Sequence, residues 1–285
     1  MTGAAGAPSD LASRAREVAR RALRSGALVP LPTRRTTLED GGVRFVVRVL
    51  EALDDKRTAG LAARTGGRNP FLPYDERLHV ASLPPRHEIL LNKFRVVDLH
   101  LLVVTRAFEP QEAPLAPDDL GALWACLQVL DGLGFYNSGT VAGASQPHRH
   151  LQLVAAPLGD GPERYPLETR YADETARRAL PWACAVRAVR DLGSARAGET
   201  LHARWASALS ELGEDPGNPG PYNLLLTREL LVVVPRRRES WEGISINALG
   251  FAGSLLVRDD AQLARLRDAG PMRALTATGR RYGRR

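Results

Sequence analysis

The clearest alternation of polar and apolar residues in the chain lies between Arg149 and Val154. Successive side chains of a β-strand point to opposite faces, so this period of two predicts a strand. One face of the strand is predicted to carry His148, His150 and Gln152, and the opposite face is mainly apolar. Same-face positions are about 7 Å apart. Two imidazoles and an amide are therefore expected to line one surface of a sheet.

Alternation and short apolar runs predict further strands elsewhere. They lie at residues 43–50, 78–83, 88–94, 100–105, 222–227, 230–235 and 253–257. Consecutive strands with short connections favour antiparallel pairing, so residues 78–105 are expected to form a meander. The strands at 222–227 and 230–235 flank a tight turn and predict a hairpin.

Apolar residues at helical spacing predict the helices. The helices are expected at residues 11–22, 120–130, 182–192, 200–212 and 259–268. Ser9 or Asp10 is a suitable N-cap for the first helix, and Gly26 ends it. Gly132 and Gly134 are expected to end the second helix. Residues 135–139 are then expected to lead as a loop into the stretch 143–154, which contains the strand with His150. Residues 57–76 and 157–178 are expected to be irregular.

This order of elements predicts an α+β fold with a mainly antiparallel sheet flanked by helices. Residues 1–32 are expected to form an N-terminal helix and a proline-marked linker. Residues 33–275 are expected to form one catalytic domain, or two closely packed lobes, which 285 residues with 44% hydrophobic content can support. Residues 276–285 are interpreted as a disordered basic tail.

Composition changes this picture in three ways. No run of about 18 apolar residues is present, so no membrane association is expected. The two cysteines, Cys126 and Cys184, are expected to be buried free thiols of a cytoplasmic protein. The net charge of +7 suits anionic ligands. The arginines of the chain are mostly scattered, and no nucleic-acid-binding module is recognisable in the sequence. Nucleotides are therefore favoured over nucleic acid as partners.

The polar face and the loop before it suit phosphorus chemistry. Residues 143–146 are a small-residue loop whose backbone N–H groups can form an anion-binding concavity. A strand imidazole can attack phosphorus, and a neighbouring amide can stabilise the intermediate. A His-x-His pair on a strand also occurs as two metal ligands or as two ordinary histidines. Spacing alone therefore leaves three interpretations open.

Four ordered blocks resemble the ATP adenylyltransferases, also called diadenosine tetraphosphate phosphorylases. The blocks are Asn92-Lys93-Phe94, residues 100–105, Phe135-Tyr136-Asn137-Ser138-Gly139 and residues 143–152. Residues 221–227 and 243–251 also look like the second half of these enzymes. The resemblance runs from about residue 40 to 258, and the block 143–152 is its most specific part. These enzymes belong to the histidine-triad superfamily, in the branch of galactose-1-phosphate uridylyltransferase, which implies a histidine-triad-like fold.

The resemblance implies a reversible reaction in which phosphate cleaves diadenosine tetraphosphate into ATP and ADP through an adenylyl-histidine intermediate. It assigns the nucleophile to His150 and a site-shaping role to His148. Gln152 stands where the hydrolase branches of the superfamily carry a third histidine. An amide cannot change its protonation state, so this glutamine favours transfer to phosphate over hydrolysis.

Substrate contacts and partners also follow from the resemblance. The implied contacts are Lys56, Asn92, Lys93, Asn137, Gly143, Ala144, Ser145, Gln146, Gln152, Ser254 and Arg258. The implied ligands are diadenosine polyphosphates, ATP, ADP and phosphate, without nucleic acid, membrane or an organic cofactor. A divalent ion, with Mg²⁺ as the first candidate, is expected to accompany the polyphosphate, because four phosphates concentrate negative charge. No protein ligands dedicated to a metal are evident.

Three alternatives stay open at this stage. A hexose-1-phosphate uridylyltransferase or another nucleotidyltransferase has the same core motif. A nucleotide-binding regulator with an inactive site is a second alternative, although His148, His150 and Gln152 are intact. A metalloprotein using the two histidines is a third. The chain also departs from its relatives at residues 95–99, where they often carry proline, so the loop before His100 is not predicted.

Overall fold

The computed structural model describes residues 6–51, 69–190, 192 and 196–282. The strands are β1 (Val29–Pro30), β2 (Thr33–Asp40), β3 (Val43–Leu50), β4 (His79–Leu83), β5 (His87–Leu91), β6 (Phe94–Arg95), β7 (Leu101–Thr105), β8 (Gly132–Asn137), β9 (His150–Ala155), β10 (Ala185–Ala188), β11 (Tyr222–Leu226), β12 (Leu230–Pro235), β13 (Ser240–Trp241), β14 (Ile244–Ser245) and β15 (Ser254–Val257). The α-helices are α1 (Leu11–Arg24), α2 (Pro117–Val129), α3 (Glu168–Ala172), α4 (Glu174–Arg178), α5 (Ala197–Glu211), α6 (Ala248–Phe251), α7 (Asp260–Ala269) and α8 (Pro271–Thr278).

Eight strands form the central sheet, in the order β10-β12-β11-β8-β9-β7-β5-β4. Every neighbouring pair in it is antiparallel. This confirms the α+β prediction, the meander through β4, β5 and β7, and the β11–β12 hairpin. A smaller sheet, β15-β3-β2, combines one parallel and one antiparallel pair. Within the described ranges, no helix has the length and apolar character needed to cross a membrane.

The two faces of the central sheet are covered differently. Helices α1, α2 and α5 cover one face, where Leu151 and Leu153 of β9 are fully buried. On the opposite face, the smaller sheet and helices α6 to α8 bury Phe135 and Val154. The neighbouring part of that face, around Phe71, carries the polar residues of β9. The alternation of β9 therefore separates a core side from a site side, as the sequence predicts.

Strand β8 was not expected, because Gly132 and Gly134 were interpreted as the end of a helix. The structure places both glycines inside the strand. A Cβ on Gly132 would stand 2.2 Å from the carbonyl oxygen of Val154, and one on Gly134 would stand 2.9 Å from the Leu123 side chain. Glycine within a strand often marks such a close approach. The short β8 can therefore lie tightly against β9 and helix α2.

Two other expectations are wrong. The described residues 182–190 do not form the expected helix; they contain β10, which pairs with β12 along its whole length. Residues 33–40, for which the sequence predicted no element, form β2 and pair with β3. The tail after Leu275 is not disordered over its described part, because α8 continues to Thr278 and Gly279 forms a β-bridge with Arg236. In each case pairing with a distant segment decides a conformation that local periodicity cannot.

Candidate active site

The His150 side chain lies at the start of β9, where Val104 of β7 is its cross-strand partner. Its Nδ1 is 2.8 Å from the carbonyl oxygen of His148. A carbonyl can only accept a hydrogen bond, so Nδ1 carries the proton and Nε2 keeps its lone pair. The backbone therefore selects the tautomer in which Nε2 can act as a nucleophile.

Burial favours the reactive form of this ring. His150 is only 4% exposed, and desolvation lowers the pKa of its imidazole to about 4. A buried imidazole is harder to charge because the cation loses its water. The ring is consequently neutral over the whole physiological pH range.

Gln111 is a site residue that sequence reasoning missed. Its side-chain amide inserts between β8 and β9: Oε1 accepts a hydrogen bond from the His150 N–H at 2.8 Å, and Nε2 donates to the Asn137 carbonyl at 2.8 Å. The Tyr136 hydroxyl donates to the Gln111 carbonyl on the other side. The amide thus takes the place of a backbone pair in the ladder and holds His150 beside Asn137. Gln111 lies in a loop whose sequence has no periodic pattern of polar and apolar residues. Its position opposite the ends of β8 and β9 is visible only in the structure.

Asn137 presents a donor to the site. Its Oδ1 accepts hydrogen bonds from the Ala248 N–H and from the Asn223 amide, both at 2.9 Å. Asn223 is oriented in turn by Arg236, whose Nη1 donates to its Oδ1 at 2.6 Å. Because both contacts of Asn137 use its oxygen, its NH₂ group is the part that can donate to a ligand.

Gln152 lies on the same face, two positions after His150. Its Oε1 is 2.8 Å from Nε2 of His100. The other ring nitrogen of His100 is 3.0 Å from the Asn92 amide nitrogen. The Asn92 side chain is therefore engaged with protein groups, whereas the resemblance assigns it to nucleotide contact. That assignment stays a prediction.

His148 is placed by two protein contacts. Its Nε2 donates to the Thr105 carbonyl at 2.8 Å, and its Nδ1 accepts from the Asn69 amide at 2.9 Å. The Phe71 ring packs against both His148 and His150, with centroids 5.5 Å away in each case. Burial lowers the pKa of His148. Both of its ring nitrogens are occupied, which fits the predicted shaping role and argues against a metal-binding histidine pair.

The loop before β9 is closed by its own hydrogen bonds. Gly143 has φ +92°, and a Cβ there would stand 2.8 Å from the Asn247 side chain, so glycine is required. The N–H groups of Gly143 and Ala144 donate to carbonyls of the preceding turn at 2.9 and 3.0 Å. Backbone donation to phosphate, which was expected from all four loop residues, is therefore left to Ser145 and Gln146. Neither of these two N–H groups has a protein acceptor within the described residues.

Four predicted contacts remain, namely Lys56, Lys93, Ser254 and Arg258. Lys56 lies outside the described residues. The Lys93 ammonium is 6.0 Å from the Phe94 ring centroid. Ser254 accepts a hydrogen bond from Arg48 in the smaller sheet at 3.0 Å, and Arg258 is an exposed residue directly after β15. Their roles toward substrate stay predictions.

A charged network lies behind the site. Arg149, on the opposite face from His150, contacts Asp119 at 2.7 Å and Glu109 at 3.0 Å. Its Nη2 also donates to the Ala113 carbonyl at 2.9 Å, while His87 contacts Asp119 at 2.8 Å. The network joins β9 to helix α2 and to the segment that carries Gln111. Through Asp119 it also connects β9 to His87, the first residue of β5.

A neutral imidazole with an unprotonated Nε2, beside the amides of Asn137 and Gln152 on an antiparallel sheet, defines a nucleotidyltransferase with a histidine-triad-like fold. Comparisons with known proteins agree with this class. A family model described as the Ap4A phosphorylase N-terminal domain matches residues 2–173. A second, the ATP adenylyltransferase C-terminal domain, matches residues 178–281. The chain therefore belongs to the family of Ap4A phosphorylases and ATP adenylyltransferases.

Two proteins of Saccharomyces cerevisiae are similar to most of the chain. Protein APA1 is 26% identical over 292 residues, covering 91% of this chain and 90% of the relative. Diadenosine 5',5'''-P1,P4-tetraphosphate phosphorylase 2 is 30% identical over 258 residues, covering 78% and 79%.

Solved structures of a yeast enzyme share the fold. Yeast Ap4A phosphorylase Apa2 in complex with AMP matches with a TM-score of 0.80 and 25% identity, covering 98% of this chain and 100% of that chain. The same enzyme in complex with Ap4A matches with a TM-score of 0.78 and 23% identity, covering 96% and 99%.

Proposed function

We propose that the chain cleaves diadenosine tetraphosphate with inorganic phosphate into ATP and ADP, reversibly, through an adenylyl group on His150. The observation that carries the mechanism is the Nδ1 contact of His150 with the His148 carbonyl, which leaves Nε2 as the nucleophile. The family match and the yeast phosphorylase that binds Ap4A support the substrate.

The reaction proceeds in two displacements. Nε2 of His150 attacks the phosphorus nearest one adenosine, the N–P bond forms, and the P–O bond to the departing ATP breaks. Phosphate then attacks the same phosphorus, the N–P bond breaks, and ADP leaves with the free imidazole restored. The proton stays on Nδ1 throughout and remains hydrogen-bonded to the His148 carbonyl, so this carbonyl stabilises the positive charge that the ring acquires in the intermediate.

The amides of Asn137 and Gln152 stabilise the phosphorus centre. Each has its oxygen occupied by a protein donor, at 2.9 and 2.8 Å respectively. The NH₂ groups therefore remain to donate to phosphate oxygens as negative charge builds up. Oriented donors of this kind cost no reorganisation during the reaction.

The direct test is to identify the products from diadenosine tetraphosphate with and without phosphate. We expect ATP and ADP in equal amounts when phosphate is present, and little turnover without it. Production of ATP and AMP independent of phosphate would show a hydrolase. Failure to use the adenine dinucleotide, together with turnover of a UDP-sugar, would show the uridylyltransferase alternative.

We propose that Mg²⁺ reaches the site as a complex of the polyphosphate. Among the described residues, no group of three or more His, Cys, Asp or Glu side chains could hold a metal ion. The ion would neutralise charge on the phosphate chain, while the protein supplies the nucleophile and the amide donors.

The rate of adenylylation is expected to stay constant from neutral pH down to about pH 5 and to fall with a midpoint near pH 4. Protonation removes the Nε2 lone pair, and burial lowers the pKa of His150 to about 4, so the loss occurs well below the midpoint of about 6.5 of a free imidazole. Rapid-quench measurement of the label transferred to protein at each pH tests this. A midpoint near 6.5 would show that the ring is not desolvated.

The Gln152→His variant is expected to raise the ratio of hydrolysis to phosphorolysis. An imidazole at this position can exchange a proton and assist water, which an amide cannot do. The ratio is measured as AMP formed against ADP formed from one adenine dinucleotide in phosphate buffer. An unchanged ratio would remove the proposed role of the glutamine in excluding water attack.

A further inference from the structure

His100 is a half-buried residue whose ring the mechanism above does not use, although it touches a residue of the site. It precedes β7, and the Asn92 N–H donates to its carbonyl at 2.9 Å, which extends the β5–β7 ladder by one pair. Its ring packs against Phe135 at 5.8 Å between centroids. The ring therefore lies between Asn92 on one side and Gln152 on the other.

The backbone N–H of Phe94 determines the direction of the hydrogen bonds that connect Asn92, His100 and Gln152. The Phe94 N–H is 3.3 Å from Oδ1 of Asn92, and a backbone N–H can only donate. The oxygen of Asn92 must therefore face Phe94, and its NH₂ group must face His100. Nδ1 of His100 consequently accepts a hydrogen bond, at 3.0 Å from the Asn92 nitrogen.

The same logic continues to the site. A neutral imidazole that accepts at Nδ1 carries its proton on Nε2. This N–H donates to Oε1 of Gln152 at 2.8 Å. The Gln152 oxygen is then directed away from the site, and its NH₂ group is the part left for the phosphate. Burial lowers the pKa of His100 to about 4, so the ring is neutral near pH 7.

We propose that His100, held in one tautomer by Asn92, is a positioning residue that orients the Gln152 amide with its NH₂ group toward the reacting phosphate. This inference rests on the proposed function, because it assumes that a phosphoryl group is transferred beside Gln152. Without the ring, the amide is free to rotate by half a turn. Its oxygen would then face the phosphate oxygens and repel them, and the donor that the transition state needs would be lost.

A double-mutant cycle separates positioning from a structural role. The variants are His100→Leu, Gln152→Leu and the double variant, with His100→Gln as the conservative change that restores an amide N–H near the Nε2 position. We expect His100→Leu to lower kcat by about 10- to 100-fold with a small change in KM, less than the roughly 10²–10³-fold cost of removing a donor outright. His100→Gln is expected to recover part of this loss. In the Gln152→Leu background, His100→Leu is expected to have less than about a 3-fold further effect, because coupled residues are not additive.

His202→Leu is the matched control. His202 lies on helix α5 against Trp205, on the helical side of the sheet, so this variant removes an imidazole without touching the site and should retain wild-type kcat. Equal losses from His100→Leu in the wild-type and Gln152→Leu backgrounds would overturn the proposal, because a structural role acts independently of Gln152. A loss confined to KM would overturn it as well.

A measurement without turnover distinguishes this inference from the proposed function. Nitrogen-15 NMR of histidine-labelled protein reports which ring nitrogen is protonated. We expect His100 to be protonated at Nε2 in the wild type and to lose this single tautomer in Asn92→Leu. Protonation at Nδ1 in the wild type would overturn the positioning role even if the enzyme phosphorolyses the dinucleotide. A wild type that forms neither ATP nor ADP from it would overturn the function, and this inference with it.

Discussion

Replacing His150 by alanine is expected to abolish phosphorolysis, with kcat reduced by at least about 10⁴-fold, as for loss of a nucleophile in other enzymes. In the proposed mechanism the imidazole is the bonding partner of the adenylyl group, and His148 cannot take its place, because both of its ring nitrogens are engaged by Thr105 and Asn69. The measurement is turnover of diadenosine tetraphosphate, together with acid-labile label on protein incubated with labelled ATP.

The His150→Ala variant is expected to fold and to bind AMP. The contacts that fix the strand are made by the backbone, including the His150 N–H to Gln111 at 2.8 Å, and these survive removal of the ring. His202→Ala is the control and should keep wild-type turnover. Near-normal turnover or acid-labile label in His150→Ala would remove the covalent mechanism.

Replacing Arg149 by leucine is expected to lower the free energy of unfolding by about 3–5 kcal/mol, the usual cost of removing one partner of a buried ion pair. The Arg149 side chain is 3% exposed and that of Asp119 is fully buried. Without the guanidinium, the partners left to Asp119 among the described residues would be His87 and the Ala116 N–H. A buried carboxylate that loses its cation destabilises the fold, because burial has already removed its water.

Arg178→Leu is the matched control for this prediction. Its ion pair with Glu174 is exposed on helix α4, with side chains 78% and 64% exposed, so the change should be below about 1 kcal/mol. Urea unfolding of both variants at one pH and salt concentration gives the comparison. Equal, small changes would show that the Arg149 network contributes little to stability. A loss of about 3–5 kcal/mol in Arg149→Leu alone would confirm that the buried network stabilises the fold.

Much of the architecture was predictable because it depends on local pattern. The period-two alternation of β9 correctly separated His150 and Gln152 from the core residues Leu151 and Leu153. Helix α1 ended as expected before Gly26, which has φ +70°. Helix α7 has Asp259 as its N-cap, with its carboxylate accepting from the Gln262 N–H at 2.7 Å. These features need only side-chain direction, capping and backbone freedom.

Other elements depended on partners distant in sequence. Strand β2 is polar and became a strand only because β3 pairs with it from Thr33 to Asp40. Strand β10 follows a helix-like apolar spacing, and β12 supplies the ladder that decides its conformation. The energy of strand pairing arises only when the two segments meet. It therefore does not show up as a periodic pattern of apolar residues in either segment.

The sequence by itself determined the candidate site: the imidazole at position 150, the amide at 152 and the face they share, because strand geometry follows from alternation alone. Only the tertiary structure decided how the polar atoms of these side chains are oriented. The proton of His150 is placed by a backbone carbonyl, and the amides of Asn137 and Gln152 are turned by Ala248 and His100. Those contacts join residues up to 111 positions apart. The direction of a hydrogen bond is a property of the pair, so no single stretch of the chain can specify it.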